Sequence, residues 1–240
     1  MLIRALFAAI LAGIAAGLVM TTIQHFRTTP LILKAEIFEE TAGHGHKEAE
    51  NTAEHKKSET NKAQSIIQNP NWEPNNGFER TLYSFLTGIL ATIGLALVLT
   101  AISLLINIPI TPSNGVVWGL LAFMVFTLSP SAGLPPELPA MPAADLTERQ
   151  IWWWGTIVSG AFGVGLIALR GGLISVIIAI ILFTIPHFIG APQPEDHETS
   201  IPAYLIQNYV ANSLFIMAIT WVVMGTVLGY AMKMQNLIKD

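Results

Sequence analysis

The sequence predicts an all-α protein that crosses a membrane several times, and its composition and residue order carry this prediction. Hydrophobic residues make up 52% of the 240 residues and charged residues only 12%, whereas a soluble domain has roughly 25% charged residues. The apolar residues are grouped in long blocks, and a membrane-spanning helix needs about 20 of them in succession. The blocks follow one another closely, so we expect a single membrane domain over residues 1–240.

Six blocks are long enough, or nearly so, to form transmembrane helices. They lie at residues 2–23, 82–106, 115–131, 152–169, 172–189 and 208–232. The first could instead be a secretory signal, but no clear cleavage site follows it. Gly171 and Gly172 permit a tight turn between the fourth block and the fifth. A single bent helix at this point is the alternative, and it would leave five spans.

The basic residues predict that both termini lie in the cytoplasm. With six spans, the cytoplasmic side holds Arg4, Arg170, Lys233 and Lys239. The opposite loops, 132–151 and 190–207, hold one arginine against six acids. Cytoplasmic loops of membrane proteins carry an excess of lysine and arginine, so the asymmetry favours this orientation.

Residues 24–81 are predicted to form an extracytoplasmic loop that contains a mobile arm at 41–68. The arm is polar and nearly free of large apolar side chains, and such a segment cannot bury enough surface to fold alone. Its residues His44, His46 and His55 could coordinate a divalent ion loosely. The alternative is a solvated acidic linker that happens to contain histidine.

A proline-rich segment precedes the fourth predicted span. Four prolines between residues 130 and 139 restrict the backbone to a stiff, extended form. Glu137 lies within this frame, and rigid placement is what a metal-binding carboxylate requires. Trp152, Trp153 and Trp154 follow, at the position where an aromatic belt would anchor the protein at the membrane interface.

The end of the fifth predicted span combines proline, imidazole and carboxylate groups. Pro186 is expected to break the helix and to free a backbone carbonyl group. His187 follows at the lipid boundary, where a polar group without a role is costly. Glu195, Asp196 and His197 come next, and such nitrogen and oxygen donors suit cobalt, nickel and zinc. The alternative is a polar loop with a histidine that reaches water.

The chain also lacks the signatures of several function classes. It contains no cysteine, which excludes disulfides and thiolate metal sites. No P-loop, zinc-protease or serine-hydrolase motif is present, so we predict neither an enzyme nor a firmly bound cofactor. No basic patch indicates nucleic acid. Two small-xxx-small pairs, Gly13 with Gly17 and Gly225 with Gly229, favour close packing between helices.

Four segments occur in a characteristic order over nearly the whole chain. They are PLILKAEIFEE after the first span, WEPNNGFERTLYS before the second, GLPPELPAMPAADLTERQIWWWGT, and PHFIGAPQP. Together they resemble the CbtA family, the probable cobalt transporter subunit of bacterial membranes. The resemblance implies cobalt import that supplies cobalamin synthesis. It also implies a small single-span partner, CbtB, with a histidine-rich end.

The resemblance further implicates positions in each of these segments. They are Glu36 and Glu39 after the first span, Trp72, Gly77, Glu79 and Arg80 before the second, Glu137 in the GLPPELP frame, and Pro186 with His187. We therefore predict an inner-membrane subunit for uptake of a divalent metal, cobalt(II) above all, with the lipid bilayer around it. The alternative is a non-transporting scaffold or receptor that binds the ion outside and passes it to a separate permease. Polar residues are sparse within the spans, and this keeps the alternative open.

Overall fold

The computed structural model describes residues 2–48, 74–75 and 77–235, and this part of the chain forms seven helices. They are α1 (Leu2–Arg27), α2 (Thr29–Glu48), α3 (Phe78–Leu105), α4 (Gly115–Gly133), α5 (Leu146–Arg170), α6 (Gly172–Ile189) and α7 (Ala203–Met234). All but α2 are long and apolar enough to cross a membrane. The predicted all-α fold and the count of six spans are therefore confirmed.

The spanning helices alternate in direction, so the bundle has two different ends. We call the end that holds α2 and the loops 134–145 and 190–202 the α2 end. At the opposite end, the start of α1 lies beside the end of α7, where Arg4 Nη1 donates a hydrogen bond to the carbonyl oxygen of Gln235 (3.3 Å).

Glycines bring α1 and α3 into backbone contact. A β-carbon on Gly13 would lie 2.4 Å from the Cα of Ile93, and one on Gly17 would lie 2.5 Å from Oγ1 of Thr92. The hydroxyl of Thr92 in turn donates a hydrogen bond to the carbonyl oxygen of Gly13 (2.8 Å). Helices in lipid associate through such close van der Waals contacts, so the prediction from the first glycine pair is confirmed.

The second glycine pair packs α7 against α4. A β-carbon on Gly225 would lie 2.2 Å from the carbonyl oxygen of Gly115, and one on Gly119 would lie 2.3 Å from that of Trp221. Gly229 approaches the loop before α4 in the same way, at the carbonyl oxygen of Thr111. The glycines of α4, which the sequence prediction did not single out, complete this contact.

A π-helical turn at Met124–Leu128 interrupts α4 shortly before Pro130. Trp221 of α7 packs against this turn and is almost fully buried. Its indole Nε1 donates a hydrogen bond to Oγ1 of Thr127 (3.0 Å), and the ring of Phe126 stacks on it with centroids 5.6 Å apart. The turn therefore gives a buried tryptophan the acceptor that its N–H requires.

Helices α5 and α6 form a hairpin that packs mainly on residues 124–133 of α4. The turn uses Gly171 and Gly172 at φ +63° and +81°, and glycine adopts such angles without strain. The alternative of one bent helix is therefore wrong.

Pro186 lies inside α6, which continues to Ile189, so the prediction that this proline breaks the helix is wrong. Because Pro186 has no N–H, the carbonyl of Leu182 loses its helical partner. The hydroxyl of Ser159 on α5 donates to that carbonyl instead (2.6 Å). The predicted freed carbonyl therefore exists, but it accepts a hydrogen bond from a side chain of the neighbouring helix α5.

Helix α2 covers part of the bundle end. The chain leaves α1 at Thr28, because Pro30 cannot donate the next helical hydrogen bond. Ala35 of α2 is then buried in a small apolar cluster with Leu138, Ile201 and Leu205. Residues 41–48 of the predicted arm continue α2, and residues 49–68 lie outside the described residues.

Candidate functional site

Every predicted metal donor whose side chain the structure describes lies at the α2 end. These residues are Glu36, Glu137, His187, Glu195, Asp196 and His197. Glu39, His44 and His46 lie on α2, where only the backbone is described, and His55 lies outside the described residues. The described donors therefore gather at one end of the bundle.

Glu36 forms an ion pair with Arg80 that ties α2 to the first turn of α3. Arg80 Nη1 donates to Oε2 of Glu36 (3.1 Å), and Nη2 donates to Oε1. Both side chains are about one-third exposed. A bidentate arginine–carboxylate pair of this kind is strong and directional, so a cation at Glu36 would have to compete with a guanidinium group.

Glu137, in the loop before α5, is also paired with an arginine, through a single hydrogen bond. Its Oε2 accepts a hydrogen bond from Nη2 of Arg149 on α5 (2.8 Å). The neighbouring Leu138 is buried against α2, which fixes the loop. The stiff frame predicted around Glu137 therefore positions an ion pair between the loop and α5.

His187 lies in a contact between α4, α5 and α6. Its Nε2 is 3.3 Å from Oγ of Ser129, and its ring meets that of Trp152 edge to face with centroids 5.7 Å apart. The Trp152 indole donates to the carbonyl oxygen of Pro186 (3.0 Å) and is buried. Trp152 is therefore a packing residue, and the prediction that it anchors the membrane interface is wrong. Trp154 is 58% exposed, and for this residue the role of interface anchor stays a prediction.

The predicted acidic cluster after α6 is an exposed turn. Asp196 accepts a hydrogen bond from the backbone N–H of Glu198 (2.8 Å), and Glu195 and His197 are exposed beside it. Within the described residues, no group of three or more histidine, aspartate or glutamate side chains is arranged to hold a metal ion. The donors therefore share one end of the bundle without forming a coordination sphere.

A cavity of about 410 Å³ opens at the α2 end between α1, α2, α3 and α7. We call it the vestibule. Polar side chains from all four helices line it, among them Gln24, His25, Thr29, Arg80, Ser84, Tyr209 and Ser213. The sequence prediction implicated Arg80 through the family resemblance but did not bring these side chains together, because they are spread over nearly 190 positions. Gln24 and His25, directly after the first predicted span, were a further local signal.

The model of the CbtA family, described as a probable cobalt transporter subunit, matches residues 2–233. The chain belongs to the CbtA family. It is therefore a subunit of a transporter assembly, and its six apolar helices make it a multi-pass membrane protein. No curated protein and no solved structure matches it.

Buried hydroxyl groups lie in the interior of this CbtA chain, next to the vestibule. Among the described residues, the buried polar side chains are all threonine or serine. The hydroxyl of Thr21, which borders the vestibule, donates to the carbonyl of Gly17 (2.7 Å), and Thr92 follows one level deeper. A hydroxyl that donates in this way still has oxygen lone pairs free to accept.

Proposed function

We propose that this CbtA chain is the inner-membrane subunit that admits a divalent metal ion, cobalt(II) above all, for cobalamin synthesis. In this proposal the α2 end faces away from the cytoplasm and both termini lie inside. The positive-inside asymmetry of the sequence supports this orientation. The observation that carries the proposal is the vestibule, a cavity that brings an imidazole and several other polar side chains together at the end of a largely apolar bundle.

The exposed donors of the α2 end make the first contacts with the ion. They are His187, Glu195, Asp196 and His197. In this proposal Glu39 after the first span and the arm residues His44, His46 and His55 also contribute. Clustered acids raise the local concentration of cations. Glu36 and Glu137 contribute less directly, since each is paired with an arginine.

The vestibule then replaces part of the water shell of the ion. His25 offers a nitrogen, while Gln24, Ser84 and Tyr209 offer neutral oxygens. Nickel, copper and zinc bind such donors as tightly as cobalt or more tightly. Preference for cobalt therefore has to come from geometry or from the rest of the assembly.

A partner subunit supplies the tight capture of metal that the described chain lacks. The absence of a three-ligand group among the described residues supports this division of labour. A small single-span protein of the CbtB type, with its histidine-rich end, has the required chemistry.

The second candidate function is a scaffold or receptor that holds the ion outside and passes it to a separate permease. One observation favours it. The buried hydroxyls of Thr21, Thr100 and Thr220 each donate to a carbonyl of their own helix. These interior polar groups are therefore already used in hydrogen bonds within their helices.

Uptake of radioactive cobalt into proteoliposomes separates the two functions. Vesicles containing this chain, with and without a CbtB-like partner, are compared at equal protein content. Uptake in either preparation supports the transporter. Cobalt binding without uptake in both preparations supports the scaffold and contradicts the transporter.

His187→Ala tests the contribution of an exposed imidazole. We expect the KM for cobalt uptake to rise about fivefold, which corresponds to the loss of one interaction of about 1 kcal/mol. Phe188→Ala is the matched control, because Phe188 is the adjacent residue and is 90% exposed. Both variants should reach the membrane normally. An unchanged KM in His187→Ala would remove His187 from the pathway.

A further inference from the structure

We propose that the Arg80–Glu36 ion pair sets the electrostatic potential of the vestibule and thereby controls which ions can approach it. This inference rests on the proposed function only for its physiological meaning, because the potential can be measured without transport. The pair is placed for this role: Arg80 lines the vestibule, and Glu36 holds its guanidinium from α2 through two hydrogen bonds.

The charge of Arg80 is unfavourable for a cation pathway unless it is neutralised. A guanidinium group stays protonated at any physiological pH, so the wall of the vestibule carries a permanent positive charge. The carboxylate of Glu36 cancels most of it at short range. Glu36 is therefore a positioning residue that acts through Arg80.

A second ion pair at the α2 end provides a natural comparison. Arg149 and Glu137 are paired at 2.8 Å with 26% exposure each, close to the 31% of the vestibule pair. Neither of them lines the vestibule. If local charge in the cavity matters, the two arginines have to differ in their effect although each is paired with a glutamate of similar exposure.

A reporter thiol inside the cavity measures the potential directly. The chain has no cysteine, so Ser213→Cys introduces a single reactive group on the vestibule wall. Its rates of modification by a cationic and by an anionic methanethiosulfonate reagent of similar size are compared. The ratio of the two rates depends on the local potential, whereas a general opening of the cavity raises both rates and leaves the ratio unchanged.

Glu36→Gln should lower the cation-to-anion rate ratio about sixfold. This value assumes about 8 Å between the uncompensated charge of Arg80 and the unit charge of the reagent, at the dielectric constant of water. The effect is counted twice, because the cationic reagent is slowed and the anionic reagent is accelerated. Arg80→Gln should raise the ratio, because it leaves Glu36 uncompensated. The double variant should return to within about twofold of the parent. The shifts should shrink when the salt concentration rises from 20 to 300 mM, since the Debye length falls well below about 10 Å.

Arg149→Gln is the control and should change the ratio less than twofold. The inference is overturned if both single variants shift the ratio in the same direction or leave it unchanged, or if Arg149→Gln matches Arg80→Gln. Such results would show that the pair only tethers α2.

Cobalt uptake by the same variants without the reporter completes the test. Glu36→Gln should raise the KM about fivefold or more with little change in Vmax, for a divalent ion under the same electrostatic assumptions. If the Glu36 and Arg80 variants shift the rate ratio but the protein takes up no cobalt, only the proposed function is contradicted. If these variants take up cobalt normally and leave the rate ratio unshifted, only this inference is contradicted.

Discussion

Removal of the Ser159 hydroxyl should destabilise the bundle only because Pro186 is present. Pro186 deprives the carbonyl of Leu182 of its helical N–H, and Ser159 donates to that carbonyl at 2.6 Å. A hydrogen bond between membrane helices contributes about 0.6 kcal/mol on average and up to about 1.7 kcal/mol. An orphaned buried carbonyl costs about 1–3 kcal/mol. We therefore expect Ser159→Ala to lower the free energy of unfolding by about 1–2 kcal/mol.

The same change should cost less than about 0.5 kcal/mol in a Pro186→Ala background. There the alanine N–H can donate to Leu182, so the serine is no longer needed. The expected coupling of about 1 kcal/mol lies in the range that residues sharing a partner show. Unfolding in mixed micelles with increasing dodecyl sulfate, followed by far-ultraviolet circular dichroism, measures all four proteins.

Thr184→Ala is the matched control for this cycle. Thr184 lies on the same helix, and its hydroxyl donates to the carbonyl of Ile180 (2.9 Å), which already has its helical N–H partner. Its removal should cost less than about 0.5 kcal/mol in both backgrounds. Equal losses from Ser159→Ala with and without Pro186 would refute the reasoning.

Two further substitutions test the packing of α7, with unfolding in detergent as the measurement. Gly225→Ala should destabilise the protein by about 1–3 kcal/mol, since the added β-carbon would lie 2.2 Å from a carbonyl oxygen of α4. Gly94→Ala is the control: a β-carbon there has no atom within 4 Å, so it should stabilise the protein by up to about 1 kcal/mol. A gain in both would contradict the backbone contact. Trp221→Phe leaves Thr127 without its indole partner and should cost about 1–3 kcal/mol. The exposed Trp154→Phe should change stability by less than about 0.5 kcal/mol, and equal effects would argue against the hydrogen bond.

The spans could be predicted because hydropathy and length are local properties. Each apolar block needed only its own residues to be recognised, and the turn at Gly171 needed only two glycines. The end of the first span was placed too early. Three of residues 24–27 are polar, yet this segment continues α1 to Arg27, since helical hydrogen bonding does not stop at the lipid boundary.

The pairing at the candidate site could not be predicted in the same way. Glu36 and Arg80 are separated by 44 positions, and nothing in either local sequence identifies the partner. The inward position of Trp152 did have a signal. Thr156, Gly160 and Gly163 are buried with it on one face of α5, and their small side chains at helical spacing mark that face.

The glycine contact between α4 and α7 restricts how the protein can move. Attraction between packed atoms falls steeply with distance, and a gap of about 0.5–1 Å forfeits a quarter to a half of it. The contact runs along about one turn of α4, from Gly115 to Gly119, and along about two turns of α7, from Trp221 to Gly229. We therefore expect α4 and α7 to move as one rigid unit in any conformational change of the protein.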